Sequence, residues 1–127
     1  MYYISKTISA PFEKVISRLK EELARHGFGV LTEIDVQETL KKKLNIDFRR
    51  YRILGACNPP FAYQALQAED KIGVLLPCSI IVQEPAEGVT EAAAIDPLTS
   101  MQTVGNPRLK EIAGQVRTGL KAVIAAL

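Results

Sequence analysis

The chain has 127 residues, 47% of them apolar and 24% charged, with a net charge of +2. Those proportions argue against a disordered chain, and the small charge gives no reason to expect a polyanionic partner. Two cysteines, Cys57 and Cys78, are too few for a disulfide-stapled scaffold, and no apolar run nears the roughly 18 residues of a membrane span. The expectation is one domain over residues 1–127, long enough for its own core, in a reducing cytoplasm and off the membrane. The opening "MYYISKTISAPF" contains no signal-peptide pattern and no targeting motif.

Tyr2–Ile8 is rich in aromatic and β-branched residues and is followed by "SAP", which predicts a strand. Phe12, Val15, Ile16, Leu19 and Leu23 then fall on one helical face. Ser9 is the expected N-cap of that helix, Pro11 fits its first turn and Gly27 its stop. Phe28–Ile34 predicts a second strand. Asp35 and Glu38 have capping-box spacing, and Val36, Leu40 and Leu44 recur every four residues, so a short helix follows. Its last turn holds Lys41, Lys42 and Lys43, where cations suit the helix dipole.

Arg49–Cys57 is the third predicted strand. Tyr51, Ile53 and Cys57 share one face, expected to be the core face, and Arg50, Arg52, Leu54 and Ala56 the other. Asn58 before Pro59 reads as a cap followed by a helix-starting proline, and Phe61, Ala62, Ala65 and Leu66 give that helix an apolar face. Ile72–Pro77 is apolar but too short to classify. "CSIIVQE" and "GVTEAAAID" flank a Pro85–Gly88 turn and predict an antiparallel hairpin. Asn106-Pro107 repeats the cap-and-proline signal, and Leu109, Ile112, Ala113, Val116, Leu120, Val123, Ile124 and Leu127 hold helical spacing to the end. Gly114 and Gly119 each cost that helix about 1 kcal/mol relative to alanine, and either could allow a close backbone approach.

Four stretches together, "GFGVLTEIDVQETLKKKLNIDFRRYRILGACNPP", "IGVLLPCSIIV", "AAAIDP" and "VGNPRLKEIAGQVRTGL", resemble the bacterial and archaeal domain of unknown function 302 family. The similarity covers essentially the whole chain, through Gly55-Ala56-Cys57-Asn58-Pro59-Pro60, Leu76-Pro77-Cys78 and Asp96-Pro97. The resemblance implies an α+β fold with a curved, largely antiparallel sheet against helices, like the TATA-binding-protein group, in the order β-α-β-α-β-α-β-β-α. It also implies a homodimer, and it brings no mechanism. Ser79 stands where the family more often has Asn, so a polar contact made by that Asn is in question here. Alternation of strands and helices alone leaves a parallel arrangement open.

The candidate ligand-binding residues are Cys57, Asn58, Cys78 and Asp96. Cys57 ends a strand one residue before a helix cap, where exposed N–H groups favour a thiolate or an anionic ligand. The opposing reading is that free cysteine packs as a small apolar group, which applies still more to Cys78 beside Ile80 and Val82. Together the two sulfurs are weak candidates for a divalent metal site, to which His26 and Glu33 are conceivable additions, since a structural zinc wants four ligands. His26 is otherwise explained by its place at a helix end, Asn58 and Asn106 as caps, and Asp96-Pro97 as turn chemistry.

The basic cluster of Lys41, Lys42, Lys43, Arg49, Arg50 and Arg52 lifts residues 1–54 to eleven basic against seven acidic residues. It reads first as a solvated helix end, and with only Phe48 and Tyr51 nearby a nucleic-acid platform is not expected. No phosphate-binding glycine loop, zinc-protease motif or serine-hydrolase elbow is present. Three readings follow: a small-ligand or metal-ion binding module near Cys57-Asn58 and Cys78, a homodimeric interaction protein, and a thiol-dependent enzyme or redox protein using Cys57.

Overall fold

The computed structural model describes residues 1–127 as β1 (Tyr3–Ile8), α1 (Phe12–Arg25), β2 (Gly29–Asp35), α2 (Val36–Leu44), β3 (Tyr51–Cys57), α3 (Pro59–Ala68), β4 (Cys78–Ala86), β5 (Val89–Ile95), α4 (Pro97–Met101) and α5 (Pro107–Ala125). The strands form one sheet in the order β1-β5-β4-β3-β2, and every neighbouring pair is antiparallel. The parallel alternative is thereby removed. The fold is α+β, with an antiparallel sheet against helices, as the family resemblance implies.

Burial is one-sided. Val15, Leu19 and Leu23 of α1 and Leu109, Leu120 and Val123 of α5 are wholly buried against Leu54, Ile80, Val82, Ala92 and Ala94 of the sheet. The alanines in mid-sheet leave room for helix side chains, which is how two helices share one face of five strands. Gly119 of α5 is the close approach of the pair: a Cβ there would lie 3.0 Å from Cε2 of Phe28, whereas one at Gly114 would meet nothing. Alternation leaves a second face uncovered, crossed by the row Ser5–Ala93–Ile81–Ile53–Ile34.

This geometry corrects the expected face of β3. The core side carries Leu54 and Ala56, and Tyr51 and Ile53 lie on the uncovered side. A strand whose two faces are each part apolar gives no sign of which is inward. Arg52 shares the core side because it sits at the sheet's margin, where its guanidinium meets Glu13 at 3.0 Å, Glu33 at 3.3 Å and Asp35 at 3.8 Å. Burial opposes its charge, but those three carboxylates outweigh burial and raise its pKa.

Ser9 is not the cap of α1. Pro11 holds the N-cap position in an extended conformation, without a side-chain bond. A helix begun at Ser9 would force Ala10, which precedes the proline, into the α region that proline disfavours. Ala10 is fixed differently, its carbonyl accepting from Thr90 Oγ1 at 2.8 Å. The unclassified apolar stretch becomes a 3₁₀ helix, Asp70–Leu75, followed by a cis Leu76–Pro77 bond that leads into β4. The turn of the hairpin is tighter than Pro85–Gly88, because β4 runs on to Ala86.

Gly55, opposite Ser79 on the uncovered side, has no room for a side chain: a Cβ would fall on Thr32 Oγ1 and 2.6 Å from Pro77 Cγ. Gly55→Ala is therefore expected to lower unfolding free energy by about 1–3 kcal/mol. Gly114→Ala, in open space on a helix, should raise it by about 0.5–1 kcal/mol. Urea denaturation of the two variants checks both signs.

Candidate functional site

Cys57 is the last residue of β3 and Asn58 the N-cap of α3, its Oδ1 accepting from the Phe61 backbone N–H at 3.4 Å. Pro59 then supplies a helix start that has no N–H to satisfy. The α1–β2 turn abuts this cap: Gly27 has φ +79°, and a Cβ there would sit 3.2 Å from Asn58 Nδ2. Cys78 opens β4 directly opposite Ala56, which sets it one step diagonally from Cys57 across the ladder. Two residues 21 apart in sequence are thus brought together by strand pairing.

Cys57, Asn58 and Cys78 all line one hollow of about 30 Å³ beneath α3 and α5, otherwise walled by apolar residues such as Phe61, Leu76, Met101 and Ile112. That is space for about one water or one methyl group, and a surface so apolar favours the methyl. Burial, reinforced by the nearby Cys57, pushes the Cys78 thiol from its ordinary 9.0 up to about 11, so it is neutral at physiological pH. Cys57 is half-buried and unpaired.

The hollow contains no histidine or carboxylate beside the sulfurs, and no group of three or more His, Cys, Asp or Glu side chains in the chain is placed to hold a metal ion. Two sulfurs fall short of the three protein ligands of an open zinc site. Nor does the hollow supply a base to activate Cys57.

The other candidates are placed elsewhere. Asp96 is the cap of α4: Oδ1 accepts from Leu98 N–H at 3.0 Å, and Oδ2 accepts from Arg117 Nε at 2.9 Å. One carboxylate oxygen is thus committed to capping α4 and the other to joining α4 to α5, and Asp96 is not among the residues lining the hollow. His26 Nδ1 bonds the Glu22 carbonyl at 2.9 Å, as its helix-end position suggests. Glu33 pairs with Lys20 and Arg52. Asn106 caps α5 and donates to the Ala68 carbonyl at 2.9 Å, tying α5 to the end of α3. Ser79 is exposed on the uncovered sheet face, opposite Gly55, so the departure from the family's Asn does not touch the hollow.

Four of the six residues of the basic cluster are already engaged with other side chains. Lys41 and Lys42 pair with Asp47 and Glu38, Arg52 is enclosed by carboxylates, and Arg49 lies over the Phe48 ring and donates to Gln83.

One feature escapes the sequence reading. The five-residue α4 and the left-handed Gly105 (φ +72°) turn the chain back along α5, leaving a groove of about 590 Å³. Met101 and Ala113 line both this groove and the thiol hollow. The signal was Asp96-Pro97, the same cap-and-proline pair that starts α3 and α5. Five residues are too few for periodicity to reinforce it.

The family model of the domain of unknown function DUF302 matches residues 4–127. The chain is also similar to the uncharacterized conserved protein DUF302 from Bacillus stearothermophilus, known from a crystal structure, at 32% identity. That alignment covers 98% of this chain and 97% of the other, with a TM-score of 0.92. No curated protein matches. The chain belongs to the DUF302 family, whose function is unknown.

The displaced thiol sets a pH dependence. Cys78 is protonated in the fold to about pH 11 but ionises in the unfolded chain near its ordinary 9.0. Its contribution to stability is full below about pH 9 and is lost as pH rises through 11. Chemical denaturation of the wild type should show that decline, and Cys78→Ala should flatten it. Native protein at pH 8 should incorporate one equivalent of iodoacetamide, at Cys57, and a second only on unfolding.

Proposed function

We propose that this DUF302 protein is a small-ligand binding module whose recognition surface is the hollow shared by Cys57, Asn58 and Cys78. One observation carries the reading: strand pairing and a helix cap converge on a single apolar cavity. A concave, mostly apolar surface with few polar groups is what small-molecule sites have in common. The thiols serve as polarizable wall rather than as nucleophiles or ligands, because Cys78 is held neutral and no base or third donor joins them. Both thiols are unpaired, which suits a reducing compartment such as the cytoplasm, and no helix is long and apolar enough to cross a membrane.

The protein works as a homodimer through the uncovered sheet face. Ile81, Ile53 and Ile34 form an apolar row there that no helix of the same chain covers, with Ile34 49% exposed. The occupant is a second copy. A net charge of +2 opposes self-association little, and Glu91 at this face already accepts from Gln83 at 2.9 Å.

Labelling of Cys57 with N-ethylmaleimide tests the ligand site. Millimolar 1-hexanol, whose methyl end fits the hollow, should slow labelling several-fold, and Ala65→Leu, which fills the hollow, should remove that protection. Labelling rates indifferent to hexanol would overturn the reading. Sedimentation velocity tests the dimer: the wild type should run at twice 14.0 kDa and Ile81→Glu at 14.0 kDa. A wild type that stays at 14.0 kDa at every concentration sinks it.

A further inference from the structure

We infer that the groove between α4 and the first turns of α5 binds the head of an amphipathic carboxylate, whose apolar tail passes Met101 toward the Cys57–Cys78 hollow. The inference rests on the ligand-binding reading of that hollow and names its ligand class.

Charge gives the head its sign. Among the residues lining the groove are the polar Thr99, Gln102 and Asn106. Lys110 is the one charged residue in its wall, and it takes part in no ion pair. A concavity holding one free ammonium and no carboxylate has a positive potential, which favours an anion. Thr99 and Gln102 supply uncharged hydrogen-bonding groups around the same space.

Shape gives the tail its direction. The groove, at about 590 Å³, accepts a small molecule. Its inner wall is Met101 and Ala113, and the same two residues close the thiol hollow on its other side. Met101 is 8% exposed and unbranched, with three rotatable bonds and a polarizable sulfur, so it can swing aside for an alkyl chain more readily than Leu or Ile could. Ala113 presents only a methyl group. The path from Lys110 to Cys78 therefore runs from polar to apolar, with Met101 as its gauge.

The test measures straight-chain carboxylates from butyrate to octanoate, and the matching alcohols, by calorimetry and by protection of Cys57 from N-ethylmaleimide. Affinity of the wild type should rise with each methylene, at most roughly fourfold per group, and stop rising where the chain reaches Met101 and the hollow behind it. Met101→Ala should move that stop one or two carbons further. Lys110→Gln should weaken carboxylates about fivefold and leave alcohols unchanged, and added salt should mimic it in the wild type. Equal protection by hexanoate and hexanol in both wild type and Lys110→Gln overturns the anionic head while sparing the hollow. Carboxylates that bind through Lys110 without protecting Cys57, while the alcohols still protect it, overturn the tail path and spare the hollow; protection by neither overturns both. A chain-length stop that Met101→Ala does not move overturns the gauge.

Discussion

The packing of α1 and α5 on one face of the sheet is the constraint on which everything else depends. Five antiparallel strands present two faces, and only one is buried by this chain's own helices. Ala56, Ala92 and Ala94 keep the centre of that face low, so the helices settle close, and Gly119 lets α5 come down on Phe28. Once α5 is fixed there, α3 and α4 have only its flanks to pack on. Asn106 holds α3 to the start of α5, and Asp96–Arg117 holds α4 to its middle. The hollow is the space left between α3, α5 and the ends of β3 and β4, and the groove that left between α4 and α5. They follow from the helices being anchored at separate points rather than packed along their lengths.

The three helices around the site begin alike. Asn58-Pro59, Asp96-Pro97 and Asn106-Pro107 each place a side-chain acceptor ahead of a proline, and each acceptor takes a backbone N–H of the first turn. The device fixes where a helix starts and how the chain enters it. In a region assembled from short elements that precision matters more than propensity does. Short helices gain little from their own hydrogen bonds and take their stability from tertiary contact. The caps therefore do structural duty, and it is the residues between them, Cys57, Cys78, Met101 and Lys110, that are free to meet a ligand.

Much of this was legible beforehand, for identifiable reasons. The α1 and α5 stripes are long and strictly periodic, and the hairpin of β4 and β5 is flagged by its turn residues, so both could be read without a partner in view. The faces of β3 could not. Tyr51–Ile53 and Leu54–Ala56 are similarly apolar, and only the position of α1 and α5 decides which pair is inside. Ser9 has the side chain of a cap, but Pro11 restricts Ala10 and moves the helix start past it. The proximity of Cys57 and Cys78 was invisible in spacing, since it depends on Ala56 being paired with Cys78, a register set by the whole sheet. The groove stayed hidden because α4 is shorter than any periodic signal. Family resemblance closed the gap in topology but not in chemistry, because the family has no assigned function.

The chemistry of the two cysteines is decided by solvent rather than by sequence. Position at a strand end before a helix cap favours a reactive thiolate, and Cys57 has that position. Reactivity also needs a base or a cation close by and access for a partner, and the hollow contains only apolar walls and the Asn58 amide. For Cys78 burial outweighs all else and keeps the proton on sulfur to about pH 11. A neutral thiol in such a wall differs little from a methyl group in volume but is more polarizable, so it favours contact with alkyl groups over water. The cation that could hold an anionic group lies beyond Met101, in the adjoining groove. Separation of an apolar end from a charged end by one flexible side chain is the arrangement a site for an amphipathic molecule requires.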